Sequence, residues 1–534
     1  MFLNCFFDKW LFLNHLFLYF YGMRYQFLLF IGLFVGTLSN AQKTSDPSLF
    51  AKTITARSLQ AHLNIIAGAE MEGRDTPSPG LEKAADYIAE QFKKAGVLPG
   101  NNGSYRQTFS LGKDSVTGMS LKIDDANFSP YDDFAPAMFM PPQVDLHFSE
   151  YIFVGYGIVD EKQNDYEGAD VKDKLVIFLN GEPEGYKSAQ TGRNSPASLF
   201  NKIRKAMEKG AAAILIIRED LPSRLSNFSR YQLISDGAAS NRFGITVPTF
   251  FINENVVRRV SGYDLSTVKN AIGTEVSIPM VEQADISLSY KTDMSKKEVS
   301  NVIGVVEGSD KKDEYVIITA HYDHVGKDMD GNIYYGADDD GSGTVSVIEM
   351  ANAFAKAKKA GKGPRRTIIF MTVCGEEKGL WGSEYYSSNP VYPLDKTSAD
   401  LNIDMIGRIG DEYIKDKDSA NYVYVIGDDR LSTDLAPILN DANNRYLRFK
   451  LDRKYNDPKD PERFYYRSDH YNFAKKGVPV IFFFNGVHPD YHKPTDTVDK
   501  INFELMAKRA QLVFNTAWEI ANRNEMLKRD LKLQ

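Results

Sequence analysis

The chain has 534 residues, of which 43% are hydrophobic and 25% are charged, and this composition excludes a wholly disordered chain or a continuous coiled coil. The formal net charge is −7 at neutral pH, so we expect no nucleic-acid partner, because such proteins carry a broad basic surface. A chain of this length folds into about two to four domains.

The N-terminal segment has the pattern of a secretory signal peptide. The apolar run FLLFIGLFVG follows Arg24 and precedes Ser39-Asn40-Ala41, which predicts cleavage after Ala41 and leaves Met23 as an alternative start. A membrane anchor over residues 10–36 is the other interpretation, but polar and charged residues interrupt that run. We therefore expect an exported protein, periplasmic or secreted from a bacterial envelope, without stable membrane insertion after cleavage.

The two cysteines agree with this expectation. Cys5 would leave with the signal, so Cys374 would be alone in the mature chain and could form no internal disulfide. The exported protein would then depend on its own hydrophobic core for stability.

The next two segments differ in their pattern of apolar residues. Residues 58–98 follow helical spacing, and one helix is predicted to begin after Ser78 and to end at Gly96. From about 130 to 285, short apolar runs alternate with Gly, Asp, Asn and Pro, which predicts a compact β-rich or α/β insert. The insert has no histidine after His147 and no cysteine, so a catalytic role for it has little support.

From residue 300 onward, apolar runs alternate with helical patterns. The runs cover 302–306, 315–319, 367–373, 422–426 and 478–484. This alternation predicts an α/β fold with a mixed, mostly parallel sheet flanked by helices on both faces. Residues 441–466, rich in charged residues and proline, are predicted to form an irregular exposed excursion.

Polar clusters follow four of these strands. They are AHYDH at 320–324, CGEE at 374–377, Asp404, and HPDYH at 488–492, and a fifth acidic cluster, GADDDGSG at 336–343, precedes a helix. Each cluster, considered alone, is typical of a polar loop or of the first turn of a helix. Together they would meet at one sheet edge, because the carboxyl ends of parallel strands form the usual site of α/β proteins. Two histidines and three carboxylates exceed the ligands of one tetrahedral zinc and fit two metal ions that share a carboxylate.

These clusters, together with the N-terminal stretch EMEGRDTPSPGLEKAADYIAEQF, resemble the M28 family of co-catalytic zinc peptidases. The resemblance implies a zinc-exopeptidase fold that binds two Zn²⁺ per chain. It implies Glu376 as the general base and Asp323 as the residue that orients a ligand histidine. The metal ligands that it implies are His321, Asp339, Glu377, Asp404 and His492.

The same resemblance concerns residues near the pocket. Tyr491 is predicted to hydrogen-bond the developing oxyanion, whereas Arg467 and Asp469 match a family segment near the substrate and have no assigned role. Three other histidines, His324, His470 and His488, are not implied to be ligands by the resemblance.

The insert resembles a protease-associated (PA) domain, chiefly in the stretches DYEGADVKDKLVIF and KIRKAMEKGAAAILIIR. The resulting division is a signal peptide at 1–41, the N-terminal part of the peptidase domain at 42–130, a PA-like inserted domain at 131–285 and the main metallopeptidase domain at 286–534.

The function that these patterns predict is that of an M28-type hydrolase acting on peptide substrates. Carboxylates outnumber arginines in the clusters, which favours attraction of a free amine and hence release of N-terminal amino acids. Three alternatives stay open: a carboxypeptidase, a one-zinc glutaminyl cyclase on the same scaffold, and a non-catalytic receptor or binding protein. No pattern in the sequence specifies an oligomeric state.

Overall fold

The computed structural model describes residues 46–533 except 138–139, 142, 189, 191, 222–230, 236–237, 240–243 and 273–280. The predicted signal peptide, residues 1–41, lies outside the described residues. Among the helices in the described part, none combines the length and the apolar character that crossing a lipid bilayer requires.

The described helices and strands are numbered in chain order. The helices are α1 (Ser48–Ala51), α2 (Ala56–Ile66), α3 (Pro79–Ala95), α4 (Leu199–Glu208), α5 (Glu254–Ser261), α6 (Leu265–Ala271), α7 (Gly343–Lys359), α8 (Trp381–Ser388), α9 (Leu435–Tyr446), α10 (His470–Ala474) and α11 (Phe503–Asn522). The strands are β1 (Leu98–Pro99), β2 (Arg106–Ile123), β3 (Ala126–Phe128), β4 (Phe134–Pro136), β5 (Gln143–Phe153), β6 (Leu175–Leu179), β7 (Ala213–Ile217), β8 (Tyr231–Ser235), β9 (Ala238–Ala239), β10 (Thr249–Ile252), β11 (Val281–Val306), β12 (Lys311–His321), β13 (Gly326–Lys327), β14 (Ile333–Tyr334), β15 (Arg366–Val373), β16 (Thr397–Ile403), β17 (Tyr422–Ile426), β18 (Lys450–Asp452) and β19 (Val480–Phe484).

The sheet of the C-terminal half is mixed and mostly parallel, as predicted. β12 pairs in parallel with β15 and β16, and β16 pairs in parallel with β19. Antiparallel neighbours flank these strands, with β11 beside β15 and β17 beside β19. The carboxyl ends of β12, β15, β16 and β19 therefore lie along one edge of the sheet.

Both faces of this sheet are covered. β15, β16 and β19 are buried along their whole length, which explains why their sequences are nearly continuous apolar runs. Along β12, Val316 and Ile318 pack into one hydrophobic core, whereas Ile317 packs into a second core on the other face. The helix predicted between Ser78 and Gly96 is α3; Ser78 caps it by accepting a hydrogen bond from the Leu81 backbone N–H.

A long antiparallel ribbon leads from this sheet to a separate set of cores. β2 and β11 pair from Arg106 opposite Val302 to Ile123 opposite Ile286. Beyond the ribbon, β5, β6, β7 and β10 pair in parallel, and apolar side chains between residues 121 and 290 form two further cores. β11 runs across the predicted domain boundary at 285/286. The same strand therefore contributes residues to a core of the insert and to the cores of the C-terminal sheet. The assignment of the insert as a PA domain stays a prediction.

Residues 441–466 do not form the irregular exposed excursion that was predicted. α9 continues to Tyr446, and the side chains of Tyr455, Phe464 and Tyr465 are buried in the second core of the sheet. The prediction was wrong because it used the average polarity of the segment. The aromatic residues that fill this core lie between charged residues in the sequence.

Candidate metal centre

The polar clusters predicted from the sequence meet at the carboxyl edge of the sheet. His321 is the last residue of β12, and Asp404 directly follows β16. Glu376 and Glu377 follow β15, and His492 lies in the loop after β19. The turn Ala337–Ser342, just before α7, brings Asp339 to the same place with an extended backbone (φ −101°, ψ 101°), and its peptide bond to Asp340 is cis.

The first candidate metal position contains His321, Asp339 and Asp404, whose ligand atoms lie within 4.8 Å of one another. His321 Nε2 lies 3.2 Å from Asp339 Oδ1 and 3.7 Å from Asp404 Oδ1. The other ring nitrogen, Nδ1, lies 3.1 Å from the backbone carbonyl oxygen of Asp323 and 3.6 Å from its carboxylate. A proton on Nδ1 donated to Asp323 leaves the lone pair of Nε2 directed at the two acids.

The second candidate position lies on the other side of Asp339. His492 Nε2 is 3.0 Å from Asp339 Oδ2 and 3.1 Å from Glu377 Oε2. His324 Nδ1 is 2.9 Å from Glu377 Oε1 and 3.8 Å from Asp339 Oδ2. The ligand atoms of His324, Asp339 and Glu377 all lie within 4.8 Å of one another, so Asp339 faces both positions.

His324 is the residue of this site that the sequence analysis left out. It is the second histidine of AHYDH, fully buried, and neither of its ring nitrogens makes a well-oriented hydrogen bond to a described residue. Gly336 gives it room, because a Cβ at that position would lie 2.4 Å from His324 Cγ. The only sequence signal was its proximity to His321, and the family resemblance assigned no role to it.

The donor atoms at both positions are suited to divalent cations. His321 Nε2, Asp339 Oδ2, Glu377 Oε1 and His492 Nε2 are buried and have no hydrogen-bond partner among the described residues. An unsatisfied buried polar group costs about 1–3 kcal/mol, so the fold tolerates several of them together only where a ligand compensates. Imidazole nitrogens and carboxylate oxygens are the ligands that zinc and similar divalent ions prefer.

The electrostatics of the centre reflect its crowded acids. Burial opposes ionisation of Asp339, but the close approach of His321 and His492 outweighs burial and holds the pKa of Asp339 well below the usual range. Burial likewise opposes ionisation of Glu377, whose pKa is nevertheless lowered to about 2 by the neighbouring histidines. Burial raises the pKa of Glu376 well above its usual value, and the charges of Glu377 and Asp404 add to that effect.

Glu376 lies beside the two positions and belongs to neither of the tight ligand groups. Its Oε2 is 4.0 Å from His321 Nε2, and its side chain is 11% exposed. The backbone N–H of Glu376 donates a hydrogen bond to Asp323 Oδ1 at 3.2 Å, so Asp323 contacts both His321 and the residue predicted to be the base.

The three residues predicted near the substrate have different surroundings. The Tyr491 ring stacks on His492 with centroids 3.9 Å apart. The Arg467 guanidinium lies over the ring of Phe464 and is partly exposed. Asp469 is fully buried and accepts a hydrogen bond from Ser383 Oγ at 2.5 Å.

A buried network holds the turn that carries Asp339. Asp496 accepts hydrogen bonds from the backbone N–H groups of Asp338 and Asp339 at 3.0 and 3.2 Å. His488 Nε2 lies 3.2 Å from Asp338 Oδ2, and both side chains are fully buried. His488 therefore contacts a residue of the turn and lies outside both ligand groups.

The sheet, its flanking helices and the polar side chains at its carboxyl edge define an α/β protein with a candidate centre for divalent metal ions. Residues 301–517 match the family described as Peptidase family M28. The chain therefore carries an M28 peptidase domain.

Similar proteins agree with this assignment. "Probable leucine aminopeptidase" from Trichophyton verrucosum (strain HKI 0517) is 31% identical over 217 residues, which are 40% of this chain and 55% of that protein. The chain thus spans about half the length of the curated relatives that it matches.

Two solved structures share the fold. The aminopeptidase from Aneurinibacillus sp. strain AM-1 matches 92% of this chain and 100% of its own with a TM-score of 0.53 and 21% identity. A zinc aminopeptidase from Bacillus subtilis matches 90% of this chain and 99% of its own with a TM-score of 0.51 and 19% identity. At these identities the likeness establishes the fold.

Proposed function

We propose that the protein is a zinc-dependent exopeptidase that releases N-terminal amino acids from peptides. The observation that carries this proposal is the pair of ligand groups that share Asp339, with Glu376 beside them. The names of the similar proteins, a leucine aminopeptidase and two bacterial aminopeptidases, support the same activity.

Each ligand group would hold one Zn²⁺, for a total of two per chain. His321, Asp339 and Asp404 would form one position, and Asp339, Glu377 and His492 would form the other, with His324 beside Glu377. When bound, the metals would polarise the peptide carbonyl and make a water molecule acidic near neutral pH.

The chain's own residues would supply the remaining chemistry. The Glu376 side chain is 11% exposed and, among the described residues, forms no ion pair with Lys or Arg. It would take a proton from the water and pass it to the leaving amine. Asp323 would hold the His321 ring through Nδ1 and fix the backbone of Glu376. Tyr491, stacked on His492, would donate a hydrogen bond to the oxygen that gains charge.

Recognition of the N-terminus follows from the charges near the centre. Arg408 is already paired with Asp490 at 2.9 Å and lies 3.7 Å from Asp496, and Arg467 lies 3.8 Å from Glu462, so both arginines already have acidic partners. The acids that face the centre outnumber these arginines, and bound metals would neutralise only some of them. The remaining negative charge favours a peptide ammonium group.

We further propose that the protein is exported and that residues 131–285 form a PA-like domain beside the substrate cleft. The apolar N-terminal run followed by Ser39-Asn40-Ala41 supports export. A contact supports the position of the insert: Arg463 Nη1 donates a hydrogen bond to Asn194 Oδ1 of the insert at 2.9 Å, four residues from Arg467.

A peptide-release assay tests the proposed activity. One peptide would be offered with free termini, with an acetylated N-terminus and with an amidated C-terminus, and zinc would be counted in the same preparation. We expect two zinc ions, stepwise release from the N-terminus, strong suppression by acetylation, and loss of activity with a chelator. Sensitivity to amidation alone would indicate a carboxypeptidase. One zinc in fully active protein with cyclisation of N-terminal glutamine would indicate a glutaminyl cyclase, and no turnover of any peptide would favour a binding protein.

A further inference from the structure

Arg74 is a fully buried arginine whose guanidinium donates four hydrogen bonds to backbone carbonyl oxygens. Its Nε donates to Tyr322 O at 2.8 Å, Nη1 donates to Ile66 O and Tyr335 O at 2.8 Å each, and Nη2 donates to Gly336 O at 2.9 Å. Burying a charged group is costly unless hydrogen bonds compensate for it. The four short bonds therefore fix the positions of the carbonyl groups that accept them.

Three of these carbonyls belong to the two loops that carry metal ligands. Tyr322 lies between His321 and Asp323, and Gly336 directly precedes the turn that contains Asp339. The backbone carbonyl of Arg74 also accepts a hydrogen bond from the His324 N–H at 3.2 Å. One side chain and its own backbone thus connect the ligand loop after β12 to the ligand turn before α7.

The neighbours of Arg74 approach the same loops. Gly73 has a φ of +71°, and a Cβ there would lie 2.3 Å from Gly326 O and 2.6 Å from Tyr334 O, so only glycine fits between these two backbones. Thr76 Oγ1 accepts a hydrogen bond from the Gly375 N–H at 3.2 Å, one residue before Glu376. The segment 73–76 therefore contacts the backbone beside three clusters of the centre.

The charge of Arg74 adds to this geometry. Its guanidinium interacts electrostatically with the carboxylates of Asp323, Asp339 and Asp340 and partly offsets their mutual repulsion. Because it contacts only carbonyl oxygens, it does not compete with a metal for the ligand atoms.

We propose that Arg74 is a positioning residue of the metal centre: it fixes the distance between the loop 321–324 and the turn 336–340 and thereby sets the zinc affinity. The segment lies outside residues 301–517, so it extends the centre beyond the matched M28 domain. This inference rests on the proposed zinc centre.

The chain offers a matched control in Arg366. It is also fully buried, and it donates to the carbonyl oxygens of Ile520, Arg523 and Asn524 at 3.0, 2.7 and 3.3 Å. Unlike Arg74, it also pairs with the Glu314 carboxylate at 2.7 Å. It begins β15, at the end of the strand opposite to the metal centre. Its loss should cost folding energy in the same way without moving a ligand loop.

The experiment compares full-length protein with Arg74→Met, Arg74→Lys and Arg366→Met. Each protein is stripped with a chelator and titrated with Zn²⁺ against a chromophoric chelator, and thermal unfolding verifies that it is folded. We expect Arg74→Met to weaken zinc binding about 10–100-fold, the range seen when groups that orient metal ligands are lost. Arg74→Lys should fall between wild type and Arg74→Met, and Arg366→Met should unfold at a lower temperature with unchanged zinc affinity.

The possible outcomes distinguish failure of the Arg74 inference from failure of the proposed zinc-dependent function. Wild-type zinc affinity in folded Arg74→Met would overturn the inference, and so would equal weakening in Arg366→Met, because the effect would then be general destabilisation. If Arg74→Met does not fold, Arg74→Lys decides by the same comparison. Absence of zinc binding in the wild-type protein would instead reject the proposed function.

Discussion

Glu376 and Glu377 are adjacent in the chain, but their carboxylates have different surroundings. Glu377 contacts His324 and His492 within about 3 Å, whereas Glu376 Oε2 comes no closer than 4.0 Å to His321. Glu376→Gln should therefore abolish peptide hydrolysis and leave the zinc content near that of wild type. Glu377→Gln should lower both, because it removes a charged ligand. Zinc analysis and initial rates on the same samples check this, and equal zinc loss in both variants would show that base and ligand are wrongly assigned.

His324 gives a second prediction at the level of single residues. Its Nδ1 lies 2.9 Å from Glu377 Oε1, so His324→Asn should weaken the position of Glu377 and His492 by roughly tenfold in zinc affinity. The position of His321 and Asp404 should keep its affinity, so the titration should become clearly biphasic.

His470 provides the control for this substitution. It is equally buried, stacks on Phe482 with centroids 4.9 Å apart, and belongs to neither ligand group. His470→Asn should keep wild-type zinc binding whatever it does to stability. A single-phase titration with wild-type affinity in His324→Asn would exclude His324 from the centre.

The residues of the centre were partly predictable from sequence because strand ends mark them. His321 is the last residue of β12, and Glu377 and Asp404 follow β15 and β16; the buried parts of these strands are visible as apolar runs. Arg74 gives no such signal, because an arginine beside Glu72 and Asp75 has the pattern of a solvated surface turn. Its importance depends on carbonyl groups about 250 residues away, and only the folded chain brings these together.

At the level of elements, α4 in the insert carries a buried lysine. Lys202 is 0% exposed, and its Nζ donates to Leu179 O at 2.8 Å and Gly181 O at 2.7 Å. Burial disfavours its charged form and lowers its pKa from 10.5 to about 8. Below pH 8 both folded and unfolded states hold the proton; between pH 8 and about 10.5 only the unfolded state does.

The free energy of unfolding of the insert should therefore rise with pH across that window. The integrated gain is on the order of 3 kcal/mol. Urea unfolding at pH 7.5 and pH 10 should show this gain in wild type and lose it in Lys202→Met. Lys205→Met, on a partly exposed position of the same helix, should keep the wild-type difference. A difference that persists in Lys202→Met would mean that other groups cause it.

The elements also show where sequence patterns are informative. The parallel strands and α3 were predictable, since each has an unbroken apolar run or a capped, periodic face. The ribbon of β2 and β11 was missed because its middle is exposed on both faces, as at residues 291–298, and therefore has no apolar alternation. Its pairing depends on backbone hydrogen bonds between segments more than 160 residues apart, which no local pattern reveals.

At the level of the whole molecule, the separate cores determine which parts are independent. The two cores of the insert contain residues between 121 and 290, and the proposed ligands all lie outside that range. Apolar burial is the main source of folding free energy, so a unit with its own core does not need the neighbouring core in order to fold. The ribbon of β2 and β11 links the insert to the peptidase part. Its cross-strand pairs show at which residues the insert can be removed and the two strands rejoined.

We predict that the peptidase part folds and binds zinc without the insert. Lys113 and Ser295 are cross-strand partners in the ribbon, so residues 114–294 can be replaced by Asn-Gly, which closes an antiparallel pair with a two-residue turn. This removes both insert cores but also Leu233, which packs with Phe109 and Leu111 in the core of the peptidase part. The deletion variant should therefore be less stable by about 2–4 kcal/mol, and Leu233→Ala in the full chain measures that share of the loss.

The zinc content of the deletion variant should equal that of wild type, because all the proposed ligands remain and Arg74 still joins their loops. Its substrate range should widen if the insert borders the substrate cleft as proposed, because the insert and its contact from Asn194 to Arg463 are gone. Zinc titration, circular dichroism and release rates for short and long peptides check these expectations together. A variant that is folded by circular dichroism but binds no zinc would mean that the insert contributes to the metal centre, and an unchanged ratio of rates for long and short peptides would mean that it does not border the cleft.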